Sequence, residues 1–519
     1  MANGWDLIVV GAGSSGAALA ARSAEKGKRV LLLEAGPDYR SADMHEAWRS
    51  PNPVVALLDP TAATGVVWDG VTSSRTDKQP QAPYWRGRGV GGSSSINGQI
   101  AIRPPMEDFD DWVAAGCAGW SPADVLPYFA KLEDDEEFGD EPYHGRGGPT
   151  PIYRTPQEKW GGVDHALAQS SLAAGYPWAP DVNAPHTTGT SPYPINSRSG
   201  RRVSVNDAYL EPARELSTLA IRGDAVVDRV LFVGHRAVGV RAVANGVPTT
   251  EYADTVVLSA GVIHSPAILL RSGIGPAAEL RALGADVLAD LPVGRGMQDH
   301  PMALLSLPLT EAAAIKSPHD RHTNTCVRLT SSTEGIANDL MFVSNNQNVL
   351  AMATADTGTR SGAYGVWLNH SFSRGELSLT SLDPTAQPLV RERMLSDERD
   401  LARLREGVRA MVELALRPET SEFLAGSVED DNEALFGVLD HDGELDDHLL
   451  TTVIDAQHGT STCRMGAPGH TDAVVDPSCR VLGVDGLRVV DASIFPSVTR
   501  ANTNLAAIMA GELMADRLD

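Results

Sequence analysis

The chain has 519 residues, enough for two or three domains at roughly 100–200 residues each. Hydrophobic residues make up 42% and charged residues 21%, which excludes a disordered chain, while Gly 49 and Pro 33 point to plentiful loops and tight turns. Lys+Arg 43 against Asp+Glu 67 leaves a net charge of −24, which argues against nucleic acid or an anionic membrane as partner and mildly admits a cationic substrate.

Residues 6 to 10 (Asp-Leu-Ile-Val-Val) read as a short buried parallel strand, followed at once by Gly11-Ala12-Gly13-Ser14-Ser15-Gly16. Ala17 to Lys26 reads as a helix stopped by Gly27, and Arg29 to Glu34 as a second buried strand. This β–turn–α–β unit gives the three glycines a function: Gly11 makes the tight turn, Gly13 admits a pyrophosphate, and Gly16 lets helix and strand pack closely. The free N–H groups and the positive dipole end at the helix start suit a diphosphate, and Ser14 and Ser15 of the turn are counted among the cofactor-binding residues. Glu34, with Ala35 after it, ends the second strand, where a carboxylate accepts from ribose hydroxyls and repels a 2′-phosphate. The ligand is therefore an adenine dinucleotide, FAD or NAD; the glycines do not separate the two.

Residues 40 to 85 are punctuated by Pro51, Pro53 and Pro83 and read as an irregular surface excursion or lid. Gly87 to Asn97 is dense in Gly and Ser, so main chain can run close to a flat ring system. The acidic run Glu133 to Glu137 reads as a solvated face. Residues 219 to 259 carry strand signals, and 397 to 417 read as a helix with Leu401, Leu404, Val408, Met411, Val412 and Ala415 on one face. Leu487 to Asp491 reads as a strand and Thr503 to Arg517 as a helix. The cysteines Cys117, Cys326, Cys463 and Cys479 form no CxxC pair and no zinc-spaced cluster, so no disulfide scaffold or metal site is expected. Without a basic signal-peptide stretch or a long apolar run, the expectation is a cytoplasmic enzyme.

Several motifs together resemble the glucose–methanol–choline (GMC) oxidoreductases, FAD-dependent alcohol oxidases and dehydrogenases. They are Gly87 through Ala101 and Pro104 to Asp110; Gly261-Val262-Ile263-His264-Ser265-Pro266 through Gly275; Gln298-Asp299-His300-Pro301; Ser373-Arg374-Gly375; His458 through Cys463-Arg464-Met465-Gly466; and Asp491 with Asn502-Thr503-Asn504. The resemblance implies an α/β plus α+β fold: a Rossmann-like FAD-binding domain from residues 1–155, 221–300 and 456–519, and a substrate domain on an antiparallel sheet from 156–220 and 301–455. By the same resemblance Gly91, Gly92, Ser95, Asn97, Gly98 and Ile100 lie along the isoalloxazine, Val227 meets the adenine, and Asp491, Ala492 and Thr503 sit near the pyrophosphate and ribityl chain. Ile96 stands where some relatives tether FAD to a histidine, so FAD is expected to be non-covalent.

Alcohol oxidation needs a base for the hydroxyl proton and a donor for the developing alkoxide. His458 matches the family's catalytic histidine and suits the first role; Asn502 cannot be a base but can donate to an alkoxide. Two departures stand out: Val262 where the family has a smaller residue, and Gly459 where it has Pro after the histidine, a change expected to loosen the backbone. His264 and His300 read as structural, and Tyr364, Trp367 and His370 as packing residues that could face a substrate ring. The expected reaction takes a primary alcohol to an aldehyde by hydride transfer to flavin N5, with O2 or another carrier as electron acceptor. A quinone-linked dehydrogenase and a redox-idle lyase are the alternatives.

Overall fold

The computed structural model describes residues 4–59, 61–244, 246–333, 335–348 and 360–518; residues 349–359 of the expected substrate segment lie outside them. The strand Trp5–Val10 pairs in parallel with Val30–Leu33 on one side and with the end of the long strand Val247–Leu258 on the other. Leu219–Arg222 extends the parallel sheet beyond Val30–Leu33, and Leu487–Val489 pairs with Val247–Leu258. The apolar runs of these strands are buried on both faces, the pattern of a helix-covered parallel sheet. Val247–Leu258 also pairs antiparallel with Arg236–Ala244, and that strand with Ala225–Val233, so one strand belongs to both the parallel sheet and a meander.

Helix Ser14–Glu25 covers the parallel sheet and packs against helix Thr503–Arg517, which closes the chain. A Cβ on Gly16 would run into the Gly11 carbonyl and Ser259, so glycine is required where this helix meets the sheet.

A second, antiparallel sheet runs in the order Ile454–Asp455, Pro301–Pro308, Ser361–Leu368, Leu340–Asn345, Thr325–Leu329 and Gly189–Pro192. One face packs Leu305, Phe342, Tyr364 and Val366 against helices Gly162–Ala173 and Glu398–Ala415. The alternate residues, among them Met341, Val343 and Trp367, form the opposite face together with Ile100 and Tyr193. That second face looks toward the parallel sheet and floors the cavity described below.

One reading of the sequence changes here. Glu133–Asp135 is a short strand in which Glu133 and Asp135 are fully buried, so the acidic run is a solvated face only at Glu136 and Glu137. Their carboxylates meet His144, Arg103 and Arg154, and Arg154 also reaches Asp181; buried charge of this kind persists only when paired. In the described part of the stretch from 40 to 85, short helices lie around the buried Trp48, packed with Ala47, Ala56 and Ala62, strands Thr72–Ser74 and Ala82–Pro83 follow, and Pro53, Leu57, Trp68 and Trp85 line the cavity described below. Among the described residues, no helix is long and apolar enough to cross a membrane.

Candidate active site

A cavity of about 710 Å³ lies between the two sheets. One end is built by the turn after the first strand. Gly11, Gly13, Ser14, Ser15, Glu34 and Ala35 line it, with Val227, Asp491, Ala492 and Thr503. Helix Ser14–Glu25 begins there without a side-chain cap, so its first N–H groups are available to an anion. The two glycine motifs touch: a Cβ on Gly92 would come within 2.6 Å of the Gly13 Cα, leaving backbone alone as the lining. Asn97, Gly98 and Ile100 carry the wall toward the antiparallel sheet.

His458, Asn502 and Trp367 meet in the middle of the cavity. Asn502 Nδ2 lies 3.0 Å from His458 Nε2, and His458 Nδ1 lies 2.9 Å from His300 Nδ1. His300 Nε2 donates to the Thr499 carbonyl at 2.9 Å. This last bond sets the tautomers of the chain. A carbonyl only accepts, so neutral His300 carries its proton on Nε2; its Nδ1 then accepts, and His458 donates from Nδ1. The lone pair of His458 is therefore on Nε2, facing Asn502 and the cavity. Burial lowers the proton affinity of His300 to a pKa of about 4 and that of His458 well below its ordinary value, helped by His300 and Arg86. Both imidazoles are thus neutral near pH 7, as a base requires.

The backbone around His458 is pinned. Asp299 accepts from the His458 N–H at 2.8 Å, the His300 N–H at 2.7 Å and the Tyr84 hydroxyl at 2.7 Å. Burial, with Asp455 nearby, pushes the Asp299 carboxyl up to about 7. Gln457 and Ser461 both take left-handed backbone, at φ 63° and 72°, a strained setting common beside functional residues. Gly459 does not loosen this loop. A Cβ there would collide with the Tyr84 hydroxyl and lie 3.1 Å from Val262 Cγ1 and 3.2 Å from Met297 Cε. The larger Val262 thus occupies space that the smaller Gly459 vacates.

Other expected site residues stand differently. Gly91 and Ser95 do not line the cavity: the Ser95 hydroxyl turns back to the Val90 carbonyl and Tyr39, and Gly91 packs against it, because the tight Gly92–Ser95 turn folds that face inward. Glu34 lines the cavity, but its carboxylate already accepts from the N–H groups of Ala12, Gly36 and Gly89, tying three loops together. Asp491 likewise accepts from Gly261, Ser265 and Ser493, holding the start of helix Gly261–Arg271. Asn502 occupies the N-cap position of the closing helix without making the cap bond; its side chain is turned to His458 and its Oδ1 is buried without a partner. Trp367 faces the cavity, its ring centroid 5.2 Å from that of His458, whereas Tyr364 faces the opposite side of the sheet and bonds Thr420. His264 stacks on Trp68, centroids 4.1 Å apart. His300, read from sequence as structural, is the residue that reading missed; its only sequence signal was the Gln298–Pro301 motif.

Family models described as GMC oxidoreductase match residues 5–302 and 371–511. The chain is 35% identical to 5-(hydroxymethyl)furfural oxidase of Methylovorus sp. (strain MP688), over 99% of this chain and 98% of that protein. It is 34% identical to human mitochondrial choline dehydrogenase, over 99% of this chain and 89% of that one. The solved structure of pyridoxine 4-oxidase from Mesorbium loti superposes with a TM-score of 0.89 at 28% identity, covering 99% of both chains. The chain belongs to the GMC oxidoreductases and is an enzyme of alcohol CH–OH oxidation with FAD as its cofactor. The residues present fit that group: a side-chain-free contact between two glycine motifs, an uncapped helix start and a continuous cavity leading to His458.

Proposed function

We propose that this enzyme oxidises a primary alcohol to an aldehyde with His458 as base and O2 as electron acceptor, releasing H2O2. The observation that carries the reading is the Nε2 lone pair of His458, oriented by His300 and set 3.0 Å from the Asn502 amide on the cavity surface. An alcohol oxygen that displaces the Asn502–His458 contact and comes within hydrogen-bond reach of both accepts from Asn502 Nδ2–H and gives its proton to His458 Nε2. As negative charge grows on that oxygen, the amide donor stabilises it, with the Trp367 ring packed beside His458. Bound FAD supplies the hydride acceptor. Gly11, Gly13, Ser14, Ser15, Ala35, Gly92, Asn97, Gly98, Ile100, Val227, Ala492 and Thr503 are the residues that would hold it, and Ile96 on the cavity wall offers no nucleophile for a tether. Acid precipitation should then release all the yellow colour; colour left on the chain overturns the non-covalent reading.

The substrate class follows from the lining. Around Trp367 it is apolar, with Met302, Leu304, Val343 and Ala363, which suits a flat ring. The acidic groups on the lining are Glu34, Asp455 and Asp491; Asp455 is paired with Arg75, and the other two are held by backbone donors at the dinucleotide end. Among the described residues, a quaternary ammonium would find no free carboxylate there, so the surface charge of −24 does not carry over to the described lining. This favours a ring-bearing alcohol of the kind named for the furfural and pyridoxine oxidases over a choline-like one. Anaerobic mixing with aryl alcohols should bleach the flavin, and aerobic turnover should yield one H2O2 per aldehyde. Reduction of an added quinone with no peroxide would contradict O2 as acceptor.

A further inference from the structure

The antiparallel sheet orders the cavity floor in rows. Trp367 pairs with Met302 and Met341 beside His458; Gly365 pairs with Leu304 and Val343 in the next row; Ala363 pairs with Asn345 in the row after that. From Trp367 to Ala363 is four residues, about 13 Å at strand rise. The middle row is apolar and flat: a Cβ on Gly365 would lie 3.0 Å from Val343 and 3.1 Å from Leu304, so those side chains close over it.

The far row is different. Tyr193, which donates its N–H to the Asn324 carbonyl at that sheet edge, is 2% exposed, lines the cavity, and has a hydroxyl with no partner. His322 lines the same end, and its Nδ1 is buried without a partner. Behind them lie Arg321 and Arg202, both under 8% exposed. Arg321 donates to the carbonyls of Pro51 and Gly98 and keeps Nε unpartnered; Arg202 donates to the Trp48 and Ser94 carbonyls and the Asn97 amide and keeps Nη2 unpartnered. None of these partners is a carboxylate; Asp207 and Asp164 act on the two guanidiniums only at a distance. Buried charge without a counter-charge is costly, and here two unpartnered polar side chains line the cavity with two such guanidiniums behind them.

We propose that this end of the cavity is a carboxylate subsite, in which the Tyr193 hydroxyl and the His322 imidazole donate to the anion and Arg321 and Arg202 provide the counter-charge. The inference rests on the reading of the cavity as an alcohol site and extends it: the preferred substrate carries a carboxylate across a flat apolar spacer from its carbinol. The apolar middle row takes the spacer, and the carbinol reaches His458 and Asn502.

The test uses the FAD-bound enzyme and a ligand with no carbinol. Benzoate and benzamide have nearly the same shape and differ in charge, and their binding is read from the flavin absorbance. Benzoate should bind at least ~10-fold more tightly, and Tyr193→Phe, which removes a hydroxyl bonded to nothing in the protein, should shrink that ratio by roughly 10-fold. In turnover, 4-(hydroxymethyl)benzoate should exceed benzyl alcohol in kcat/KM, with the same loss of preference in Tyr193→Phe. Equal affinity for benzoate and benzamide, or a ratio that Tyr193→Phe leaves intact, overturns the subsite. A flavin that no alcohol bleaches would instead overturn the proposed function, and the benzoate titration would still decide the subsite.

Discussion

At the residue scale the account turns on which nitrogen of His458 carries the proton. The Thr499 carbonyl fixes His300, and His300 fixes His458, so a residue outside the proposed alcohol contacts prepares the proposed base. His300→Phe keeps a ring but removes the acceptor for His458 Nδ1–H. It should lower turnover by roughly 10²-fold. It should also move the acid limb of the kcat/KM profile to higher pH, because His300 is one cause of the depressed proton affinity of His458. A loss of rate with an unmoved profile would assign His300 a structural role alone. His458 and Asn502 could be placed from sequence because each sits in a register counted from a motif, Cys463–Gly466 for one and the closing helix for the other. His300 could not: its partner is 158 residues away, and only the fold brings the two rings together. Ser95 and Gly91 were misplaced for the complementary reason, since spacing places a loop in a site without saying which face of a 3-10 turn looks inward.

At the element scale, the loop 457–461 is held by what surrounds it. Tyr84, Val262 and Met297 fill the space over Gly459, and Tyr84 also donates to the Asp299 carboxylate that anchors His458. Gly459→Ala should therefore destabilise the fold by roughly 1–3 kcal/mol through overpacking. Tyr84→Phe in the same chain removes the closest clashing atom, and the two changes should couple favourably by at least ~0.5 kcal/mol in urea unfolding. Additive effects would mean that the loop yields without meeting Tyr84. The sequence marked Val262 and Gly459 as two separate departures; that they compensate each other is visible only in contact. Glu133–Asp135 teaches the same limit. Five acidic residues in a row carry no sign of which are buried, and Arg103, Arg154 and His144, which pay for the burial, are scattered along the chain.

At the scale of the whole molecule, the parallel strands, the fingerprint turn, the amphipathic helix Glu398–Ala415 and the closing helix were all legible, because each rests on local periodicity or a glycine with a steric reason. Sheet order and the shared cavity were not, since they depend on pairings between distant segments. The fold also buries neutral imidazoles. Burial lowers His264, His300 and His370 to about 4, and His322 and His458 well below their ordinary value. Between pH 6.5 and 4 the unfolded chain binds protons at these positions and the folded chain does not, so the contribution of these five histidines falls as pH falls, by up to roughly 1.4 kcal/mol per pH unit for each. His144, raised by Asp181 and Glu133, gives a contribution that is complete below the unfolded value and is lost as pH rises through the folded one, so it does not change across this window; the buried Asp299 carboxyl, pushed up to about 7, gains stability as pH falls through it and offsets one of the histidines. The five imidazoles should stay neutral in the folded chain between pH 7 and pH 5, which NMR titration of their ring protons reads; titration near 6.5 would mean that burial does not lower them.

The most direct measurement is the anaerobic rate of flavin reduction by an aryl alcohol in the wild type and in His458→Ala, at matched FAD content and pH 7. The variant should retain its FAD and reduce it roughly 10²–10⁴-fold more slowly. Reduction at a near wild-type rate would remove the imidazole from the chemistry and, with it, the assignment of base and donor made here.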